Sequence, residues 1–290
     1  MYTQTFHINE TLKEVCSSIS RAEATVKEHI KLFYHNASED YITFLFYGHI
    51  KYRLCEASQN KSIERAFLKD LKSSLGYQTN IDWNLDRELH HEAEGLIADM
   101  VLHNKRQEGK TGGDFGLIIL HPQIKVDDEF LEIIKGVSSG LLCQAKLKDE
   151  YGKWNGLTKN QRTALCNRLG FTSLVLYSFL DEERSDLNSI TWKLCRGLSL
   201  SKIDVFLKEG PNEKLKTTSQ IVTSLGREEI GTTNQKLIET VISPLVRQHL
   251  EIKLYWPRDP KDKGLKQSVK FRIRHKEVEK EKVQVKVYQT

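Results

Sequence analysis

The chain has 290 residues, 39% of them hydrophobic and 29% charged, with a formal net charge of +5 at pH 7. That length suits one large domain or two smaller ones, and the composition is that of an ordinary globular protein. No apolar run approaches the roughly eighteen residues that would span a bilayer, and the five cysteines (Cys16, Cys55, Cys143, Cys166, Cys195) are scattered without a CxxC pair, which argues against structural zinc and a disulfide framework.

The opening stretch, MYTQTFHINETLKEV, has no basic segment followed by an apolar one, so no leader and a cytoplasmic location are expected. Leu12, Val15, Ile19, Ala22, Val26 and Ile30 then recur at helical spacing. YITFLFYGHIKYRL, from Tyr41, is apolar and aromatic and reads equally as strand or buried helix. KSIERAFLKDLKSSLGY, from Lys61, is an amphipathic helix that closes near Gly76. Residues 1–81 thus form a helical N-terminal region in which no catalytic constellation is visible.

The pattern changes at Asp82. DRELHHEAEGLIADMVLHNK (86–105) reads as a helix and EGKTGG as a turn. DFGLIILH and GLLCQAKL read as strands, TKNQRTALCNRL as a helix and TSLVLYSFL as a strand. Residues 82–181 therefore have an α/β layer arrangement. Residues 182–290 read as a basic α+β accessory region. Short helices (SKIDVFLKE, SQIVTSL, NQKLIETVISPLVRQHL) precede strand-like runs (EIKLYW, SVKFRIRH, KVQVKVY), with a break at WPRDPKDKG. From Arg258 to Thr290 eleven Lys/Arg stand against five Asp/Glu, which leaves the rest of the chain near neutral. A basic end on a neutral body suits a polyanion partner.

GLLCQAKL poses the sharpest chemical question. Side chains alternate across a strand, so Gln144 and Lys146 share one face, opposite Cys143, Ala145 and Leu147. An unpaired buried ammonium is strongly unfavourable, so Lys146 needs an anion or an open edge. Asp114, which opens the preceding strand after Gly112 and Gly113, is placed to lie beside the pair; the two glycines allow a tight turn and close approach by a ligand.

An acid on a helix, then GGD at a strand start, then QAK on the next strand resembles the PD-(D/E)XK nuclease superfamily, the restriction-endonuclease-like fold. LTKNQRTALCNRLGFTSLVLYSF is similar to the segment after the catalytic lysine in its virus-type replication and repair branch. The resemblance implies a mixed sheet flanked by helices and phosphodiester hydrolysis dependent on Mg²⁺ or Mn²⁺, on DNA in preference to RNA. It implies that Asp114 and the Ala145 carbonyl bind the metal, that Gln144 stands in place of the second strand acid with its amide oxygen able to face the metal, and that Lys146 orients or deprotonates the attacking water and offsets phosphate charge. For the helix acid the candidates are Glu94 and Glu92; Glu94 is preferred because Ile97, Ala98 and Val101 follow it at the family's apolar spacing. By fold analogy the setting is bacterial restriction or phage defence, with a homodimer or a partner protein of a multi-subunit system. Losing one carboxylate weakens a site for a hard cation, so the rival reading is a non-catalytic nucleic-acid-binding or assembly subunit with a degenerate nuclease core.

Each residue also has a plainer reading. Asp114 can be a turn residue, Lys146 a snorkelling strand lysine, and Glu92 and Glu94 solvated helix residues. Gln161 can act near the phosphate or close a capping box with Thr158. His90, His91 and His103 show no zinc spacing. In SVKFRIRH, Lys270, Arg272 and Arg274 alternate with apolar residues, and Lys282 and Lys286 repeat the theme in KVQVKVY. Two such strands form either a ribbon with a phosphate-binding stripe or a solvent-facing sheet surface.

Overall fold

The structure is a computed structural model and describes residues 2–5, 8–33, 37–60, 62–75, 98–120, 123–126, 130–134, 138–149, 153–178, 189–211, 214–242, 251–255 and 270–271. Three helices come first: α1 (Asn9–Phe33), α2 (Glu39–Gln59) and α3 (Ser62–Leu75). Every residue of the apolar stripe read for α1 is buried. Its first turn is capped by Asp70 of α3, whose carboxylate accepts from Glu10 N, Thr11 N and Thr11 Oγ1 at 2.7–2.9 Å. The two backbone N–H groups are donors that a helix start otherwise leaves unsatisfied.

YITFLFYGHIKYRL falls within α2. Ile42, Phe46, Ile50, Leu54 and Ala57 form its buried face at helical spacing, while Phe44 and Tyr52 are about 60% exposed. Aromatic residues on the outer face hid the amphipathic pattern.

The helix read through 86–105 is corrected in its last part. Ala98–Leu102 is a strand, β2, antiparallel to β3 (Phe115–Leu120). Four of its five residues are buried, so no alternation distinguishes it from a buried helical turn, and pairing with β3 decides. EGKTGG is corrected too. Its first four residues belong to α4 (Lys105–Thr111), which opens on an Asn104/Gln107 capping box and ends at Gly112, with φ at +79°.

The larger sheet has six strands in the order β2-β3-β6-β7-β8-β9, where β6 is Ser138–Leu147, β7 Thr172–Ser178, β8 Ser189–Leu194 and β9 Lys216–Thr217. Only β6 and β7 are parallel. Their connection carries α5 (Lys159–Leu165), as a parallel pair requires. A second sheet takes β1 (Tyr2–Thr5), β4 (Gln123–Val126), β5 (Phe130–Ile134), β10 (Glu251–Tyr255) and β11 (Lys270–Phe271), in that order. EIKLYW supplies β10. SVKFRIRH contributes Lys270 and Phe271, opposite Lys253 and Ile252. Arg272, Arg274, Lys282 and Lys286 lie outside the described residues.

Helices cover both faces of the six-stranded sheet. On one, Met100, Phe115, Leu117, Leu141, Cys143, Val175 and Trp192 pack with α1, α2 and α7 (Thr218–Gly226). On the other, Val101, Ile118 and Leu142 meet Leu165 of α5 and Ile238, Val241 and Ile242, which follow α8 (Gln235–Leu237) in a π-helical turn. Leu174 and Leu176 meet Ile203 and Leu207 of α6 (Leu200–Glu209). The first of these clusters runs from Ile8 to Leu225 and so crosses both segment boundaries, 81/82 and 181/182.

Two glycines test this packing in opposite directions. A Cβ on Gly116 would collide with the Ile242 carbonyl, whereas one on Gly48, mid-way along α2, meets nothing within 4 Å. Gly116→Ala should destabilise the protein by roughly 1–3 kcal/mol, and Gly48→Ala should stabilise it by about 0.8–1 kcal/mol. Urea unfolding of the two variants checks both signs.

Candidate active site

The turn before β3 sets the position of Asp114. Gly112 takes the left-handed conformation, and a side chain on Gly113 would run into Leu142 and lie 3.0 Å from the Cys143 carbonyl. The two glycines thus let the chain press against α5 at Gly112 and against β6 at Gly113, where the sequence suggests a ligand's approach. Asp114 N donates to Cys143 O at 2.8 Å. His103 holds the same turn: its Nδ1 lies 2.9 Å from Gly113 O and its Nε2 3.0 Å from Ile242 O.

Asp114 is thereby brought beside the polar pair of β6. Its Oδ2 accepts from Ala145 N at 2.6 Å and from Gln144 Nε2 at 2.5 Å. Gln144 Nε2 also lies 3.2 Å from the Ala145 carbonyl. Gln144 is fully buried and Lys146 only 2% exposed, so the plainer reading of a snorkelling lysine does not hold. Lys146 Nζ lies 3.5 Å from Oε1 of Glu39, whose Oε2 accepts from Leu147 N at 3.0 Å.

Glu39 was not singled out in the sequence. It opens α2 behind Ser38, whose Oγ accepts from Tyr41 N at 3.2 Å. SED before an apolar run marks a helix start, but nothing local says where that helix end will dock. Thr43, one turn on, donates to the Glu39 carbonyl and shares a hydrogen bond with Tyr177 of β7, which pins the first turn of α2 against the sheet. Glu92 and Glu94 lie outside the described residues. Gln161 does close the capping box with Thr158, and its Nε2 also donates to Glu108 of α4 at 3.3 Å.

The electrostatics follow from burial. Desolvation first, and the Glu39 charge second, push the Asp114 carboxyl up to about 8; the Ala145 N–H and Lys146 pull the other way. Burial also raises Glu39, against the pull of Lys146 and the Leu147 N–H. Ionised together, Asp114 and Glu39 would carry one more negative charge than Lys146 balances.

No family model, curated protein or solved structure matches the chain.

Whether a divalent cation fits can be judged from these atoms. Among the described residues no three His, Cys, Asp or Glu side chains gather into a metal cage. The Gln144 amide supplies the telling observation, because its Oε1 is buried without any hydrogen-bond partner among the described residues. Its NH₂ meanwhile faces two oxygens, Asp114 Oδ2 and Ala145 O, as a cation would. Turned over, the amide would bring a third oxygen to the same two, an arrangement that repels unless a cation sits among them. A hard, oxygen-seeking ion such as Mg²⁺ or Mn²⁺ fits this donor set.

A carboxyl raised from 3.8 to about 8 on folding stabilises the fold fully below 3.8, and that contribution is lost as the pH rises through 8. Asp114→Asn keeps the acceptor without the charge. In EDTA its stability should match the wild type at pH 4 and exceed it by roughly 1–4 kcal/mol at pH 9. Urea unfolding across this range checks it; a gap that does not grow with pH contradicts the buried-charge assignment.

Proposed function

We propose that the protein is a metal-dependent nuclease that hydrolyses phosphodiester bonds, in DNA in preference to RNA, on a restriction-endonuclease-like core. One observation carries the reading: Asp114, Gln144, the Ala145 carbonyl, Lys146 and Glu39 converge beside β6, with the Gln144 carbonyl oxygen unpartnered. The strand and helix order supports it, since β2, β3 and β6 run antiparallel in sequence and α5 leads to the parallel β7.

Asp114, Gln144 Oε1 and the Ala145 carbonyl would hold the ion, and Glu39 supplies a further carboxylate close by. Bound Mg²⁺ or Mn²⁺ supplies Lewis-acid polarisation of the phosphoryl oxygen and lowers the pKa of a bound water. Lys146 is held by Glu39 in a nearly dry setting, where its charge counts for more than in water. From there it orients the attacking water and offsets the charge that builds on the phosphate. The excess of positive charge from Arg258 to Thr290 fits the same polyanion.

The test is incubation with plasmid, linear and single-stranded DNA and with RNA, in Mg²⁺, Mn²⁺ or EDTA. Cleavage should require the cation. Asp114→Ala and Lys146→Ala should each lower kcat by about 10²–10³-fold or more, and Glu39→Gln by a comparable factor, all with a native circular dichroism spectrum. Full activity in Asp114→Ala or Lys146→Ala overturns the assignment. Metal-independent DNA binding without cleavage by the wild type would favour the non-catalytic binding subunit.

A further inference from the structure

The polar face of β6 does not end at Lys146. Gln144, Lys146 and Lys148 follow one another two residues apart, so successive side chains stand about 6.6 Å apart along the chain. That is comparable with the separation of neighbouring phosphates along one nucleic-acid strand. Lys148 keeps the extended course: its N–H donates to Tyr177 O at 2.9 Å, and it forms a β-bridge with Trp154.

Lys148 and Trp154 belong to a stack of alternating character. Lys148 Nζ lies 5.1 Å from the centroid of the Trp154 ring. That ring stacks on Phe206 of α6 with centroids 5.9 Å apart and 9° between planes, and Lys193 Nζ lies 5.6 Å from the Phe206 centroid. No carboxylate pairs with Lys148 among the described residues, and Asp149 accepts from the backbone of Lys153 instead.

Packing explains the ring of Trp154 but not its nitrogen. Trp154 is 9% exposed, and its Nε1 is buried with no hydrogen-bond partner among the described residues. Buried indole N–H groups find partners as a rule. A phenylalanine would complete the same stack without an orphaned donor. A donor without an acceptor, beside an ammonium without a carboxylate, is chemistry for an anion.

We infer that Lys148 and Trp154 Nε1 form a second phosphate subsite, which holds the phosphate one nucleotide along from the one at Lys146. This deepens the nuclease reading and rests on it for the position of the first phosphate. Lys148 Nζ supplies charge and Trp154 Nε1 direction. Neither touches the scissile bond, so the subsite sets the grip on the strand and its register over Lys146.

The experiment uses the full chain in EDTA and single-stranded DNA oligonucleotides read by fluorescence anisotropy. One probe has all its phosphates charged; the others each carry one neutral methylphosphonate at a different position. Lys148→Met keeps the stem over the ring, and Trp154→Phe keeps the stack and removes only the donor. Lys148→Met should weaken binding about 5- to 10-fold and flatten the log–log salt slope by about 0.7. Trp154→Phe should weaken it about threefold. One methylphosphonate position should weaken the wild type and leave Lys148→Met unaffected. With a divalent cation, KM should rise by the same factors while kcat at saturation stays unchanged. An identical methylphosphonate profile in wild type and Lys148→Met overturns the subsite. So does a lowered kcat with normal binding, which would place Lys148 in the chemistry, and so does a wild type that binds no DNA. If the wild type cleaves nothing with any cation yet the one-position contrast persists, the nuclease reading falls and the phosphate subsite stands.

Discussion

The structure turns on an imbalance of buried charge. Two carboxylates, Asp114 and Glu39, and one ammonium, Lys146, are largely withdrawn from water beside the same strand. The ammonium can offset only one of the two anions. Without a cation the second is relieved by a proton: burial first, and the Glu39 charge second, push the Asp114 carboxyl up to about 8. A divalent cation would relieve it more fully, and the Gln144 amide is the group able to change sides when it does: its NH₂ faces the anion now, and its unpartnered oxygen is available to a cation.

Much of the fold serves to hold that imbalance in place. Gly113, packed directly on β6, and the His103 bridge press Asp114 against the backbone N–H of Ala145. The capped start of α2, pinned through Thr43 to Tyr177, carries Glu39 to Lys146. The apolar layers on both faces of the sheet exclude water from these groups and so raise the cost of every unpaired charge among them. Removing one partner should therefore be felt more strongly by the remaining groups than by the hydrophobic core.

How much of this was legible in the sequence depended on whether the signal was local. The strand GLLCQAKL, its embedded Gln144 and Lys146, and the need of the lysine for an anion were all visible, because alternation is a local property. The stripe of α1 and the Thr158/Gln161 capping box were visible for the same reason. Ala98–Leu102 was misread because a strand buried on both faces has no alternation, and only its partner β3 gives it away. Glu39 was missed because its role comes from docking a helix end onto a strand more than a hundred residues further along the chain. The five-stranded sheet, assembled from β1, β4, β5, β10 and β11, is long-range in the same sense.

The most direct test is crystallographic. Crystals soaked in Mn²⁺ and measured for anomalous scattering should show a peak among the Asp114 carboxylate, the Ala145 carbonyl and Gln144 Oε1, with the Gln144 amide turned over from its metal-free orientation. Saturating Mn²⁺ that leaves no peak there, with Gln144 Nε2 still donating to Asp114, would contradict the claim that the excess buried negative charge is a cation site.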